Sequence, residues 1–109
     1  MTRAELIALA ERVEKAAGRS AALNQDIQRA INAGRRALAV PDYTASLDAA
    51  ASLAVSRGYG YEAGQTPQMG VYAVVYRDAR TRFGVSGAAT PALALTAAAL
   101  GAMAAEART

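Results

Sequence analysis

Gly70-Val71-Tyr72-Ala73-Val74-Val75-Tyr76-Arg77 is an unbroken apolar run, rich in β-branched and aromatic residues and bounded by glycine and by charge. That composition and length predict a strand. Alternation places Val71, Ala73 and Val75 on one face and Tyr72, Val74 and Tyr76 on the other, and neither set suits open water. Both faces are therefore expected to need cover. A sheet screened on two sides calls for helices in two layers, which the largely helix-forming remainder of the chain can supply.

Working outward, 109 residues make one domain with a single core. The composition is 53% hydrophobic, but much of this is alanine, which favours helix and buries little area per residue. Large apolar anchors are few, so a thin core is expected to lean on a partner subunit. The formal charge is +3 and the pI about 9.7, with Lys15 the only lysine. This mild excess permits anionic ligands but is not the dense basic stripe of a nucleic-acid binder. The absence of cysteine and histidine excludes disulfides, thiolate nucleophiles, histidine proton shuttles and ordinary zinc sites. Met1-Thr2-Arg3-Ala4-Glu5 leads into no signal-type apolar region, and Pro91 to Ala105 is too short to span a bilayer. A cytosolic protein is expected.

In the first third, Thr2-Arg3-Ala4-Glu5 matches a capping box. Leu6, Leu9, Ala10, Val13 and Ala17 then recur at helical spacing until Gly18. A second amphipathic segment after Ser20 carries Leu23, Ile27, Ala30 and Ile31 on one stripe and stops at Gly34. Residues 1–34 thus read as a helical hairpin, with Arg35-Arg36 suited to the negative pole of its second helix. Beyond a connector ending near Pro41 and Asp42, a third helix is expected, capped by Thr44 or Ser46. Leu47, Ala50, Ala51, Ala54 and Val55 form its inward stripe, and Arg57-Gly58 its end.

Tyr59-Gly60-Tyr61-Glu62 reads as a short strand followed by a loop from Ala63 to Met69. After the central strand, Asp78-Ala79-Arg80 turns into a third, Thr81 to Ser86, with Phe83 and Val85 on one face. Short loops favour an antiparallel meander. Thr90-Pro91 is a helix start, and the helix beyond it is apolar nearly all round, so the sheet and either a neighbouring helix or a second copy must bury it. The expected architecture is α+β, order αααβββα: a three-stranded antiparallel meander between helical layers, an α/β/α sandwich, with residues 43–105 supplying a helix, three strands and a helix.

Two motifs carry a resemblance. Pro41-x-Tyr43-Thr44-x-Ser46-Leu47-Asp48-Ala49-Ala50, paired with Ala89-Thr90-Pro91-Ala92-Leu93-Ala94-Leu95-x-x-Ala98-Ala99-Leu100, resembles the phage ABA sandwich domain of small bacteriophage proteins. The resemblance spans roughly residues 40–105 and implies an α/β/α sandwich and a phage or prophage gene, with no family-wide biochemical function. The chain departs from the commoner pattern at Gly58-Tyr59-Gly60-Tyr61, where an aromatic Trp often follows the helix.

Catalysis finds little support in the residues. No serine has an accompanying base, there is no Gly-x-Ser-x-Gly and no phosphate loop with its lysine. Asp42, Asp48, Glu62 and Asp78 follow no metal-loop or paired-carboxylate spacing, so caps and turns are their expected roles. No enzyme activity, metal or cofactor is expected. Binding has more to offer: the helix starts at Thr44, Ser46 and Thr90 present free N–H groups to an anion. Tyr43 beside one of them, and Tyr59, Tyr61, Tyr72 and Tyr76 on or near the sheet, offer aromatic faces, and Arg77, Arg80 and Arg82 flank the hairpin with guanidinium groups that can take phosphates. The residues expected to bind are Tyr43, Thr44, Ser46, Tyr61, Arg77, Arg82 and Thr90. The plainer reading makes the tyrosines core, the arginines solvated and the hydroxyls caps.

The resemblance to phage proteins implies an accessory role in the host cytoplasm. The expectation is a non-catalytic protein that sequesters a small anionic ligand, such as a nucleotide-derived immune signal, as a homo-oligomer. The alternative is a module that docks on a host protein through its last helix and sheet edge. Nucleic acid ranks third, because the arginines are scattered.

Overall fold

A computed structural model describes residues 2–32, 40–68, 70–78 and 82–107. Four helices and one sheet follow in the order αααβββα: α1 (Arg3–Lys15), α2 (Ala21–Asn32), α3 (Leu47–Ser56), β1 (Gly60–Thr66), β2 (Gly70–Tyr76), β3 (Arg82–Ser86) and α4 (Pro91–Glu106). The α+β class, the element order and the antiparallel meander, β1-β2-β3 with β2 in the middle, are as the sequence implies.

Helix starts follow from local chemistry. The Thr2 hydroxyl accepts the Glu5 N–H at 3.2 Å, the Ser20 hydroxyl the Leu23 N–H at 3.2 Å, and the Ser46 hydroxyl the Ala49 N–H at 3.2 Å. Of the two cap candidates for α3, Ser46 performs the task. The inward stripe of α3 also differs from expectation: Ala50, Leu53 and Ala54 are buried, whereas Leu47 and Val55 are 42% and 60% exposed. The stripe through Ala50, Leu53 and Ala54 is the one turned to the core beside α4, and Leu47 and Val55 lie round the helix from it, towards solvent. Helix α1 stops at Lys15, before Gly18, with Leu6, Leu9 and Val13 buried. The expected stop at Gly34, the Arg35-Arg36 pair and the turn residues Ala79 and Arg80 lie outside the described residues.

Helix α4 organises the core. Twelve of its sixteen residues are buried, as its all-round apolar sequence requires, and it packs on all three strands and on α1 and α3. Alanines let these neighbours approach closely. Gly101 faces β3 at the tightest point, where a Cβ would collide with the Phe83 ring.

The first strand is longer than its sequence suggests. Ala63 to Thr66, expected as loop, pair with Gly70 to Ala73. Neighbouring-strand pairing overrides the poor strand propensity of Gly64 and Gln65.

Layering departs from expectation on one side. Val71, Ala73, Val75 and Val85 are buried beneath α4. On the opposite face no helix packs among the described residues: Glu62, Tyr76, Arg82, Gly84 and Ser86 are exposed, and Tyr72 and Val74 are half-buried. The sheet covers part of that face itself. Tyr76 pairs with Gly60 and Tyr72 with Gly64, and the rings lie across these glycines: a Cβ on Gly60 would sit 2.5 Å from Tyr76 Cε2, and one on Gly64 3.3 Å from the Tyr72 hydroxyl. An aromatic ring laid over a cross-strand glycine shields backbone without a second layer. Sequence alternation alone cannot distinguish that arrangement from helical cover.

Candidate functional site

The residues predicted to bind a ligand separate into groups with different work. Tyr43 and Thr44, 6% and 1% exposed, sit in a closed network between α2 and α3. The Tyr43 hydroxyl donates to Gln28 Oε1 at 2.6 Å, and the Tyr43 carbonyl accepts from the Thr96 hydroxyl at 2.9 Å. Thr44 donates its N–H to Asn24 Oδ1 at 3.0 Å, and its hydroxyl accepts the Ser20 N–H at 2.8 Å. Asn24 Nδ2 donates to Asp42 Oδ1 at 2.7 Å, and Arg19 Nε to Asp42 Oδ2 at 2.9 Å. The Arg19 and Asn24 hydrogen bonds hold the Asp42 carboxyl below its ordinary pKa. Burial pushes the Tyr43 phenol up. With its polar atoms paired inside the chain, this cluster anchors the connector and presents no binding surface.

The helix starts are equally committed. Ser46 caps α3, with Asp48 already in the first turn. Thr90 caps α4 through the Leu93 N–H at 3.2 Å. Close to that end lies a groove of about 660 Å³, lined by Glu11 and Glu14 against Lys15, as well as by Gly87 and Ala89. Two carboxylates make it inhospitable to an anion.

Arg77 lies at the far end of α4, about 24 Å away for a helix of this length. Its Nε and Nη2 clamp Glu106 at 2.9 Å each, its Nη2 also reaches the Arg57 carbonyl at 3.3 Å, and its guanidinium lies 4.8 Å from the Tyr59 ring centroid. Tyr59 donates to Glu106 Oε2 at 2.6 Å. These bonds, Arg77 first, hold the Glu106 carboxyl below its ordinary pKa. Desolvation, reinforced by Glu106, raises that of Tyr59. Glu106, the last residue of α4, is not among the residues expected to take part in a site. A partner 29 residues from Arg77 leaves no local signal.

What remains is the end of the β2–β3 hairpin. Tyr76 and Arg82 are cross-strand partners and share the outer face, Tyr76 being 40% exposed. With Arg77 and Asp78 they line a cleft of about 400 Å³. Arg82 makes no ion pair among the described residues. Tyr61 does not join them: it pairs with Val75 and therefore points to the α4 side. Of the seven predicted residues, Arg77 and Arg82 alone come together here, and Tyr76 is the aromatic neighbour that the site prediction passed over. Its signal was the register itself, since a tyrosine one step before Arg77 must share a face with Arg82 once the hairpin closes.

Among the described residues no cluster of carboxylates could hold a metal ion, and no helix is long and apolar enough to cross a membrane. Comparison with protein-family models, curated proteins and solved structures returns no match.

Proposed function

We propose that this chain is a non-catalytic binding protein and that its ligand is a small anion carrying a planar ring, of the nucleotide class, held at the Tyr76–Arg77–Asp78–Arg82 cleft. One observation carries the reading: Arg82, a guanidinium without an ion pair among the described residues, stands beside a half-exposed tyrosine ring in a concavity of about 400 Å³. That volume lies within the range of small-molecule sites. Arg82 supplies a fork of donors for phosphate, and the Tyr76 face supplies stacking for a base. Arg77, its charge balanced by the Glu106 carboxylate it clamps, frames the cleft from a rigid position and leaves Arg82 as the group for an anion.

A binder that only sequesters needs affinity and no reacting group, consistent with the residues in the cleft. In the phage setting that the two quoted motifs imply, the ligand is a nucleotide-derived signal in the host cytoplasm.

Thermal unfolding with adenosine triphosphate, cyclic mononucleotides and ADP-ribose as probes tests this. A ligand at about 100 times its Kd adds about 2.7 kcal/mol, a rise on the order of 10 °C for a chain of this size. Arg82→Ala should abolish the rise without moving the unliganded melting point. A flat response across the panel overturns the reading.

A further inference from the structure

The uncovered face of the sheet has a pattern that fits itself. Its middle row, on β2, is Tyr72, Val74 and Tyr76; one edge row, on β1, carries the anion Glu62; the other, on β3, carries the cation Arg82. We propose that a second copy of this chain covers this face, the two sheets stacked about a two-fold axis running along β2, with Glu62 of each copy set against Arg82 of the other.

The register fixes why this axis and no other. A two-fold rotation about β2 carries β1 of one copy over β3 of its mate and preserves level along the strands. Glu62, Val74 and Gly84 share one level, and Tyr76 and Arg82 share the next on that face. Glu62 therefore descends over Gly84, where no side chain stands in its way, roughly 7 Å along the strand from Arg82. That is within reach of an arginine side chain. An axis across the strands would instead bring β1 over β1 and set Glu62 against Glu62.

The tyrosines add a second element of fit. Their rings lean over β1, onto Gly60 and Gly64. After the rotation they lie over the mate's β3, so the two sets interleave instead of meeting head on, and each Tyr76 ring comes to the level of the mate's Arg82. A carboxylate on the β1 row of the face also disfavours a nucleic-acid backbone as the occupant. Both hairpin ends emerge at the same end of the pair, and the mate then engages Arg82 and covers the Tyr76 face, so the stacked pair and a ligand at the cleft compete for the same groups. The stacking itself does not depend on the ligand reading.

Sedimentation of the full chain without added nucleotide, from about 1 to 500 μM, tests the proposal. The expected result is a concentration-dependent doubling of mass. Glu62→Arg alone and Arg82→Glu alone should each weaken association at least tenfold, by setting like charges together twice per dimer, and the double variant should recover it. Both positions are exposed, so folding is not at stake, and melting curves unchanged at a dilution where the chain is monomeric verify this. A monomer at the highest concentration overturns the proposal. So does a dimer indifferent to the single charge reversals, or one that the double variant fails to restore.

Discussion

Adjacent residues of β2 live in different solvents. Val75 is fully buried between α4 and the flanking strands, while Val74, one residue earlier, is half-buried on a face with no helix over it among the described residues. The inner face spends its side chains on close packing against an alanine-rich helix. The outer face spends them on covering its own glycines. One side holds the molecule together and the other remains available, although the two valines are indistinguishable by type.

The sharpest test of that division is a matched truncation. Val75→Ala removes apolar atoms from a packed interior and leaves a cavity, with an expected cost of about 2–3 kcal/mol in urea unfolding. Val74→Ala should cost about 1 kcal/mol or less in dilute solution. Equal losses would mean that the outer face is packed as tightly as the inner.

Thr44 offers the next test, because it contrasts the closed polar network with the open cleft. Thr44→Val keeps the shape but leaves the Ser20 N–H without its acceptor, with an expected cost of about 1–2 kcal/mol. Arg82→Ala, at an exposed site without an ion pair among the described residues, should leave stability within about 0.5 kcal/mol. The same pair separates fold from function: loss of nucleotide response belongs to Arg82, loss of stability to Thr44.

The extent to which sequence reveals these features depends on how local they are. The cap at Thr2, the Thr90-Pro91 start and the strand at Val71 depend on neighbours within a few residues and stand as read, except that the Glu5 carboxylate accepts from the Thr2 hydroxyl and not from a backbone N–H. The length of β1 was hidden because Gly64 and Gln65 become strand only through pairing with Tyr72 and Val71. The bare outer face was hidden for a related reason: tyrosines seated on glycines of another strand look, in one dimension, like tyrosines awaiting a helix. At the site, hydroxyls beside helix starts suggested anion binding, and the structure employs them as caps or in the Asn24–Asp42 network. Arg77 and Arg82 were legible as a pair because a hairpin must bring them near each other, whereas Glu106 was not.

Glycine substitutions extend the comparison to smaller effects. Gly101→Ala gains about 1 kcal/mol of helix propensity but forces its Cβ into the Phe83 ring, so a net loss of about 1 kcal/mol is expected. Gly60→Ala meets the Tyr76 ring in the same way, yet that ring can swing into water. Its expected cost is about half as large, with the displacement of Tyr76 visible as a shift of its ring protons. If Gly60→Ala proves the costlier, the Tyr76 seat is more rigid than an open face allows.

The smallest effect is a pH dependence with different groups at its two ends. Asp42 and Glu106 have carboxyls held below their ordinary pKa by Arg19 and Arg77, so the folded state binds protons there less readily than the unfolded chain. Their contribution is complete above the ordinary carboxylate range, about pH 4–5, and is lost as pH falls through the lowered values. Tyr43 and Tyr59, raised chiefly by desolvation, act with the opposite sense: their contribution is complete below about pH 10 and is lost as pH rises beyond it. A melting temperature level between roughly pH 5 and 9 and falling on both sides is expected. Glu106→Gln should soften the acid limb while the Tyr43 part of the alkaline limb persists, and Tyr43→Phe should do the reverse. Because both carboxylates lie at the surface, salt should flatten the acid limb; the alkaline limb, which comes from burial, should not respond, and an equal response of both limbs would show that Tyr43 and Tyr59 are not held by desolvation.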